Sequence, residues 1–133
     1  METEVEMVLR LLMAAGMGSI IGYQRKRAGK VAGLRTHILI CIGAALFTIV
    51  SLFGFGVGID TSRVAAGVVA GIGFLGAGAI MRREEGIIEG LTTAATIWAV
   101  AAIGLAAGAG LYLITGVATA IVVGILFLPH HDE

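Results

Sequence analysis

The chain has 133 residues, 58% of them hydrophobic and only 14% charged, and its 21 glycines are about twice the share of an ordinary soluble domain. Nine basic residues balance nine acidic ones, which removes the electrostatic ground for a nucleic-acid partner. A single Cys excludes an internal disulfide and a Cys-based zinc site, and a mean hydropathy of +1.00 leaves an all-α integral membrane protein, read as one compact domain.

A helix needs about 20 apolar residues to cross a hydrocarbon core ~30 Å thick. The first span covers about residues 5–23, is interrupted by Arg10, and is closed by Arg25, Lys26, Arg27 and Lys30. Thr3 and Glu6 ahead of it have the spacing of a capping box. An acidic start and a trailing basic cluster are the reverse of a signal peptide. The second span covers about 34–55 and the third about 64–81. The stretch from Leu91 to Leu128 contains no Asp, Glu, Lys or Arg, and as one helix it would be ~57 Å long. It must therefore turn, and Gly104-Leu-Ala-Ala-Gly-Ala-Gly110 is where glycine permits a reversal, which gives helices at about 91–106 and 110–128. Five transmembrane helices result, with no soluble domain expected after the last.

Arg25, Lys26, Arg27, Lys30 and Arg35 surround the first loop, and Arg82 and Arg83 open the third. Two crossings separate these loops, so they share one side, which the positive-inside rule makes the cytoplasm. The N-terminus is then expected outside and the C-terminus inside. Tyr23 and Tyr112 fall at opposite interfaces, as aromatic belts require.

In lipid the hydrophobic effect does not press helix against helix, so small residues that let backbones approach take over. Gly18 and Gly22, Gly67 and Gly71, and Gly104 and Gly108 are each four apart, and Gly116, Ala120 and Gly124 continue the pattern on the last helix. These faces are expected to pack helices, within one chain or between copies. Gly71-Ile-Gly73-Phe-Leu-Gly76 matches a dinucleotide-binding fingerprint in letters only, because it lies inside an apolar span and not between a strand and a helix.

Polar groups at membrane depth are costly unless paired, which makes them the functional candidates. Arg10 follows Glu6 by one turn and is expected to pair with it near the outer surface, snorkelling, or to meet Asp60. Arg35 opens the second helix, where it serves as an interfacial anchor or clamps an anion or a partner carboxylate; Thr36 and His37 follow it. His37 titrates near neutral pH when unperturbed and otherwise serves as a hydrogen-bonded packing residue. Thr92, Thr93 and Thr96 crowd the start of the fourth helix, either lining a polar cavity or bonding back to their own carbonyls. Trp98 calls for a partner for its N–H, and Cys41 reads as inert packing. No carboxylate lies deep in a span, which disfavours a dehydrated Mg2+ pathway, and no nucleophile, base and orienter come together. No enzyme activity and no cofactor are therefore expected. The His130-His-Asp-Glu133 end has metal-binding side chains but reads as a solvated terminus.

Three motifs, Ala32-Gly-Leu-Arg-Thr-His37, Gly71-Ile-Gly-Phe-Leu-Gly-Ala-Gly78 and Gly90-Leu-Thr-Thr-Ala-Ala-Thr-Ile-Trp98, occur in an order that resembles the membrane domain of the MgtC/SapB family. The resemblance covers nearly the whole chain. It implies a bacterial inner-membrane protein with a role in adaptation to low magnesium, acid or life inside host cells, through regulation of other membrane proteins such as a transporter or the proton-translocating ATP synthase. It also carries over Arg25, Arg35, Thr36, Asp60, Arg63, Thr92, Thr93 and Thr96 as positions that match the family pattern. The chain departs from that pattern at Gly22-Tyr-Gln-Arg25, where Gln24 stands in place of the family's glutamate. A homodimer or higher homo-oligomer is expected, and the rival reading is a small ion or solute transporter or channel completed by a second subunit.

Overall fold

A computed structural model of the protein describes residues 2–82 and 88–129. Arg83 and the His130–Glu133 end, which entered the charge and metal-binding arguments, lie outside the described residues. Within them the chain forms five helices, α1 (Glu2–Arg27), α2 (Leu34–Phe53), α3 (Ser62–Gly78), α4 (Leu91–Gly108) and α5 (Tyr112–Leu126). A two-residue antiparallel ladder, β1 (Met81–Arg82) on β2 (Ile88–Glu89), leads from α3 to α4.

The helix ends differ from the sequence reading in ways that local chemistry explains. Thr3 lies inside α1, which starts at Glu2, so it is not the capping residue. At its other end α1 absorbs the basic turn Arg25–Arg27 and closes in a Schellman motif: Lys30 N–H donates to the Arg25 carbonyl at 3.1 Å and Gly29 N–H to that of Lys26 at 3.0 Å. Gly29 sits at φ 73°, which the motif requires. Basic side chains suit a helix C-terminus, and this is why the cluster continues the helix rather than ending it. The reversal between α4 and α5 repeats the motif, with Leu111 N–H on the Ala106 carbonyl and Gly110 at φ 82°. Helix α2 stops at Phe53, ahead of Gly54, Gly56 and Gly58, and α3 stops at Gly78, three residues short of the expected end.

Among the described residues three helices are long and apolar enough to cross a membrane: Thr3–Arg27, Leu34–Phe53 and Leu91–Gly108. The other two, of 17 and 15 residues, are apolar but shorter. The protein is an all-α membrane protein whose large side chains point outward: Leu39, Phe74 and Leu113 are each more than 70% exposed. The interior holds small and branched residues instead, among them Ala14, Ile21, Cys41, Ala45, Val100 and Ala107. Lipid solvates apolar surface, so burial goes to the residues that allow close approach.

Helix α2 is the centre of the bundle, with α1 on one side and α4 on the other, while α5 covers α1 and α4. The glycine faces account for this. A Cβ at Gly18 would meet that of Cys41 at 2.9 Å, and one at Gly22 would meet the Leu34 backbone at 2.9 Å. On α4, a Cβ at Gly104 would collide with the Cys41 carbonyl and one at Gly108 with the Thr48 side chain at 2.8 Å. Gly67 and Gly71 seat no helix of the same chain: both are exposed, and no other helix comes within 4 Å of the position a Cβ on either would take. Helix α3 leans on α4 and barely touches α2, so its small-residue face borders open space rather than a neighbouring helix. Gly116 and Gly124 on α5 likewise have nothing within that distance.

Candidate functional site

The candidate residues separate into a buried cluster at the end of the bundle where α1 finishes and a set of exposed ones. Arg25 is 2% exposed, and its Nη2 donates to the Thr93 hydroxyl at 2.8 Å, across 68 residues of sequence. The close approach of α1 and α2 at Gly18 and Gly22 carries the last turn of α1 over the start of α4. Gly90, at φ 90°, starts α4 where any Cβ would collide with the Ala79 carbonyl, so the end of α3 and the first turn of α4 are held together by a residue without a side chain. Thr93 is thereby fixed as the acceptor for a guanidinium that must find partners away from water.

His37 is fully buried beside this pair. Its Nδ1 lies 2.8 Å from the Gly33 carbonyl, which can only accept, so Nδ1 carries the proton and Nε2 is left as the acceptor, with no hydrogen-bond partner among the described residues. His37 is thus buried with one ring nitrogen hydrogen-bonded and the other without a partner among the described residues. Next to the Arg25–Thr93 contact is a small cavity of about 260 Å³ lined by Gly29, Lys30, Ala79, Glu89, Gly90 and Thr93. Opposite charges face it from the α1–α2 turn and from β2.

Thr96 takes the self-satisfied alternative. Thr96 is buried and donates to the Thr92 carbonyl at 2.7 Å, and Thr92 is half-buried. Thr115 and Thr119 on α5, which the sequence reading passed over, are buried and bond back in the same way at 2.7 and 2.8 Å. Their four-residue spacing on an apolar helix was the available signal. Arg35 and Thr36 are exposed at the first turn of α2, and no described residue pairs with the Arg35 guanidinium. Trp98 is 55% exposed, so it faces the surroundings of the bundle and not a polar interior.

At the opposite end, Arg10 does not snorkel and does not reach Asp60. It is 8% exposed, its Nη1 donates to the Gly108 carbonyl at 2.9 Å, its guanidinium lies 5.2 Å from the centre of the Phe53 ring, and Glu6 stands 3.5 Å away. Gly110 leaves the room, since a Cβ there would come within 2.8 Å of Arg10. The cation therefore caps the C-terminal carbonyls of α4 and ties α1 to the α4–α5 turn. Asp60 turns instead to Ser62, accepting its hydroxyl at 2.6 Å and its backbone N–H at 3.1 Å, which holds the carboxyl below the ordinary carboxylate range. Arg63 is exposed one turn further on. Among the described residues, no group of three or more His, Cys, Asp or Glu is placed to hold a metal ion.

Fold and site together define a multi-pass helical membrane protein whose buried cations tie helices to one another. Its sequence matches the MgtC family over residues 11–131, and the chain belongs to that family. It is 53% identical over 114 residues to YhiD of Escherichia coli (strain K12), whose name proposes a magnesium transporter, with 80% of this chain and 53% of that protein covered. It is 46% identical over 110 residues to Protein MgtC of Brucella abortus (strain 2308), covering 82% of this chain and 45% of the relative. Protein SapB of Bacillus subtilis (strain 168) is 39% identical over 114 residues, with 80% and 49% covered. The chain spans about half the length of the curated relatives it matches. No solved structure matches it.

Proposed function

We propose that this protein is a non-enzymatic regulator in the bacterial inner membrane, with its N-terminus outside and its C-terminus in the cytoplasm. It acts in adaptation to low magnesium or acid stress, including life inside a host, through helix contacts with a second copy or with another membrane protein such as a transporter or the ATP synthase. One observation carries the reading: both buried arginines and three buried threonines spend hydrogen bonds on holding the bundle together, and His37 Nε2 is a side-chain acceptor left over beside them. Arg25 is on Thr93, Arg10 on the Gly108 carbonyl, and Thr96, Thr115 and Thr119 are on their own helices. A chain built this way offers its outer helix faces, such as Gly116, Ala120 and Gly124 on α5, for contact.

The small cavity beside Arg25, together with the name borne by the YhiD relative, favours a second reading, a transporter or channel completed by an oligomer. One experiment separates the two. Purified protein in liposomes carrying an internal magnesium indicator is expected to show no flux above empty liposomes, while a cysteine at Ala120 is expected to give a crosslinked partner or dimer in native membranes. Magnesium flux in the wild type that disappears with Arg35→Ala or Thr92→Val overturns the regulator in favour of the transporter.

A further inference from the structure

The departure of α3 from α2 leaves a groove of about 530 Å³, walled by Leu39, Gly43 and Phe47 on one side and by Gly67, Gly71 and Leu75 on the other. Its α2 wall from Leu39 to Phe47 rises ~12 Å and its α3 wall from Val64 to Leu75 ~16 Å, at 1.5 Å per residue. One leaflet of the hydrocarbon core is ~15 Å deep, so the groove has the length of a single acyl chain lying in one leaflet. The absence of side chains at Gly43, Gly67 and Gly71 is what makes it deep enough to take such a chain.

The two ends of the groove differ in charge. Arg35 lies one turn from Leu39 on the same face of α2, about 6 Å along the helix, and is exposed with no described residue paired to it. The first-turn amides of α2 have no side-chain cap, because the N-cap is Gly33, and no acidic residue stands in that turn. Exposed Lys26 and Arg27 extend the basic surface at the same end of the bundle. At the other end Arg63, beside Val64, stands one turn from the carboxylate of Asp60.

We propose that the groove between α2 and α3 is a binding site for one anionic phospholipid, whose acyl chain lies along Gly43, Gly67 and Gly71 and whose phosphate is held by Arg35 and the first turn of α2. A headgroup at that depth meets a guanidinium and unsatisfied amides together, while the tail fills the space left where α3 barely touches α2. This goes beyond the regulatory reading and does not depend on it: a lipid held there sets the position of α3 whichever partner the outer faces contact.

The test is native mass spectrometry of the full chain, released from detergent after exchange with equimolar phosphatidylglycerol and phosphatidylcholine. The wild type is expected to retain one phosphatidylglycerol per chain in preference to phosphatidylcholine. Arg35→Gln is expected to lower that preference roughly fivefold, and Arg63→Gln to leave it unchanged. Gly71→Leu, which fills the groove at a position with nothing within 4 Å, is expected to abolish retention while helix content by circular dichroism stays that of the wild type. Equal retention of the two lipids by the wild type overturns the proposal, as does lipid retention undiminished in Gly71→Leu. A dimer that Gly71→Leu dissociates, with no lipid bound to the wild type, overturns it in favour of a second copy in the groove.

Discussion

Arg10 and Arg25 are the only cations among the described residues that the bundle buries. A buried guanidinium is tolerable only with acceptors in place, so the residues around it are coupled to its presence. Thr93→Val removes the acceptor of Arg25 Nη2 while keeping the shape of the side chain. It is expected to lower stability by about 1–3 kcal/mol in thermal unfolding in detergent, whereas Thr92→Val is expected to stay within about 0.5 kcal/mol. Asp60 gives a pH prediction with a definite sign. Ser62 holds its folded pKa below the ordinary value of about 3.9, so the turn it ties is intact above that value and loosens as pH falls through the lower folded pKa. A carboxyl 13C titration is expected to place Asp60 below a model aspartate, and Ser62→Ala to move it back toward the ordinary range.

At the scale of elements, the glycines of the chain do two different things under one sequence pattern. Gly18, Gly22, Gly104 and Gly108 seat α1 and α4 against α2, and Gly67, Gly71, Gly116 and Gly124 face open space. Gly104→Ala is accordingly expected to destabilise the bundle by about 1–3 kcal/mol through overpacking against the Cys41 carbonyl. Gly67→Ala, on an exposed helix position, is expected to be neutral or stabilising by up to about 1 kcal/mol, since alanine restricts the unfolded chain. Unfolding of the two variants in the same detergent checks the contrast. The sequence could not separate these sets: spacing of four defines a face of a helix and says nothing of whether a second helix lies on it.

For the molecule as a whole, the opening balance of nine charges against nine resolves into a distribution along the bundle. Among the described residues Arg25, Lys26, Arg27, Lys30 and Arg35 stand with Glu89 at one end, and Glu4, Glu6 and Asp60 with Arg10 and Arg63 at the other. On the proposed orientation the basic end faces the cytoplasm, and a reporter fused after Glu133 is expected to read cytoplasmic; a periplasmic reading would reverse the orientation or change the number of crossings. The spans themselves were legible because hydropathy and charge are properties of consecutive residues. Their ends were less so: Arg25–Arg27 looked like a stop, yet the favourable placement of cations at a helix C-terminus and the Schellman turn at Gly29 carry α1 through them.

The candidate site was legible as a set of residue types and not as a set of contacts. Arg25 and Thr93 were both singled out, but separately, and Arg10 was expected at the lipid surface rather than against Gly108. The sequence by itself determined that this is a helical membrane protein with glycine faces, a basic end and few polar groups at depth, because those follow from local composition and period. Only the tertiary structure decided which glycine faces meet, that Arg25 closes on Thr93 and Arg10 on α4, and that α3 leaves a groove beside α2. Contacts in lipid depend on the shape of both partners, and one strand of sequence records only one of the two surfaces.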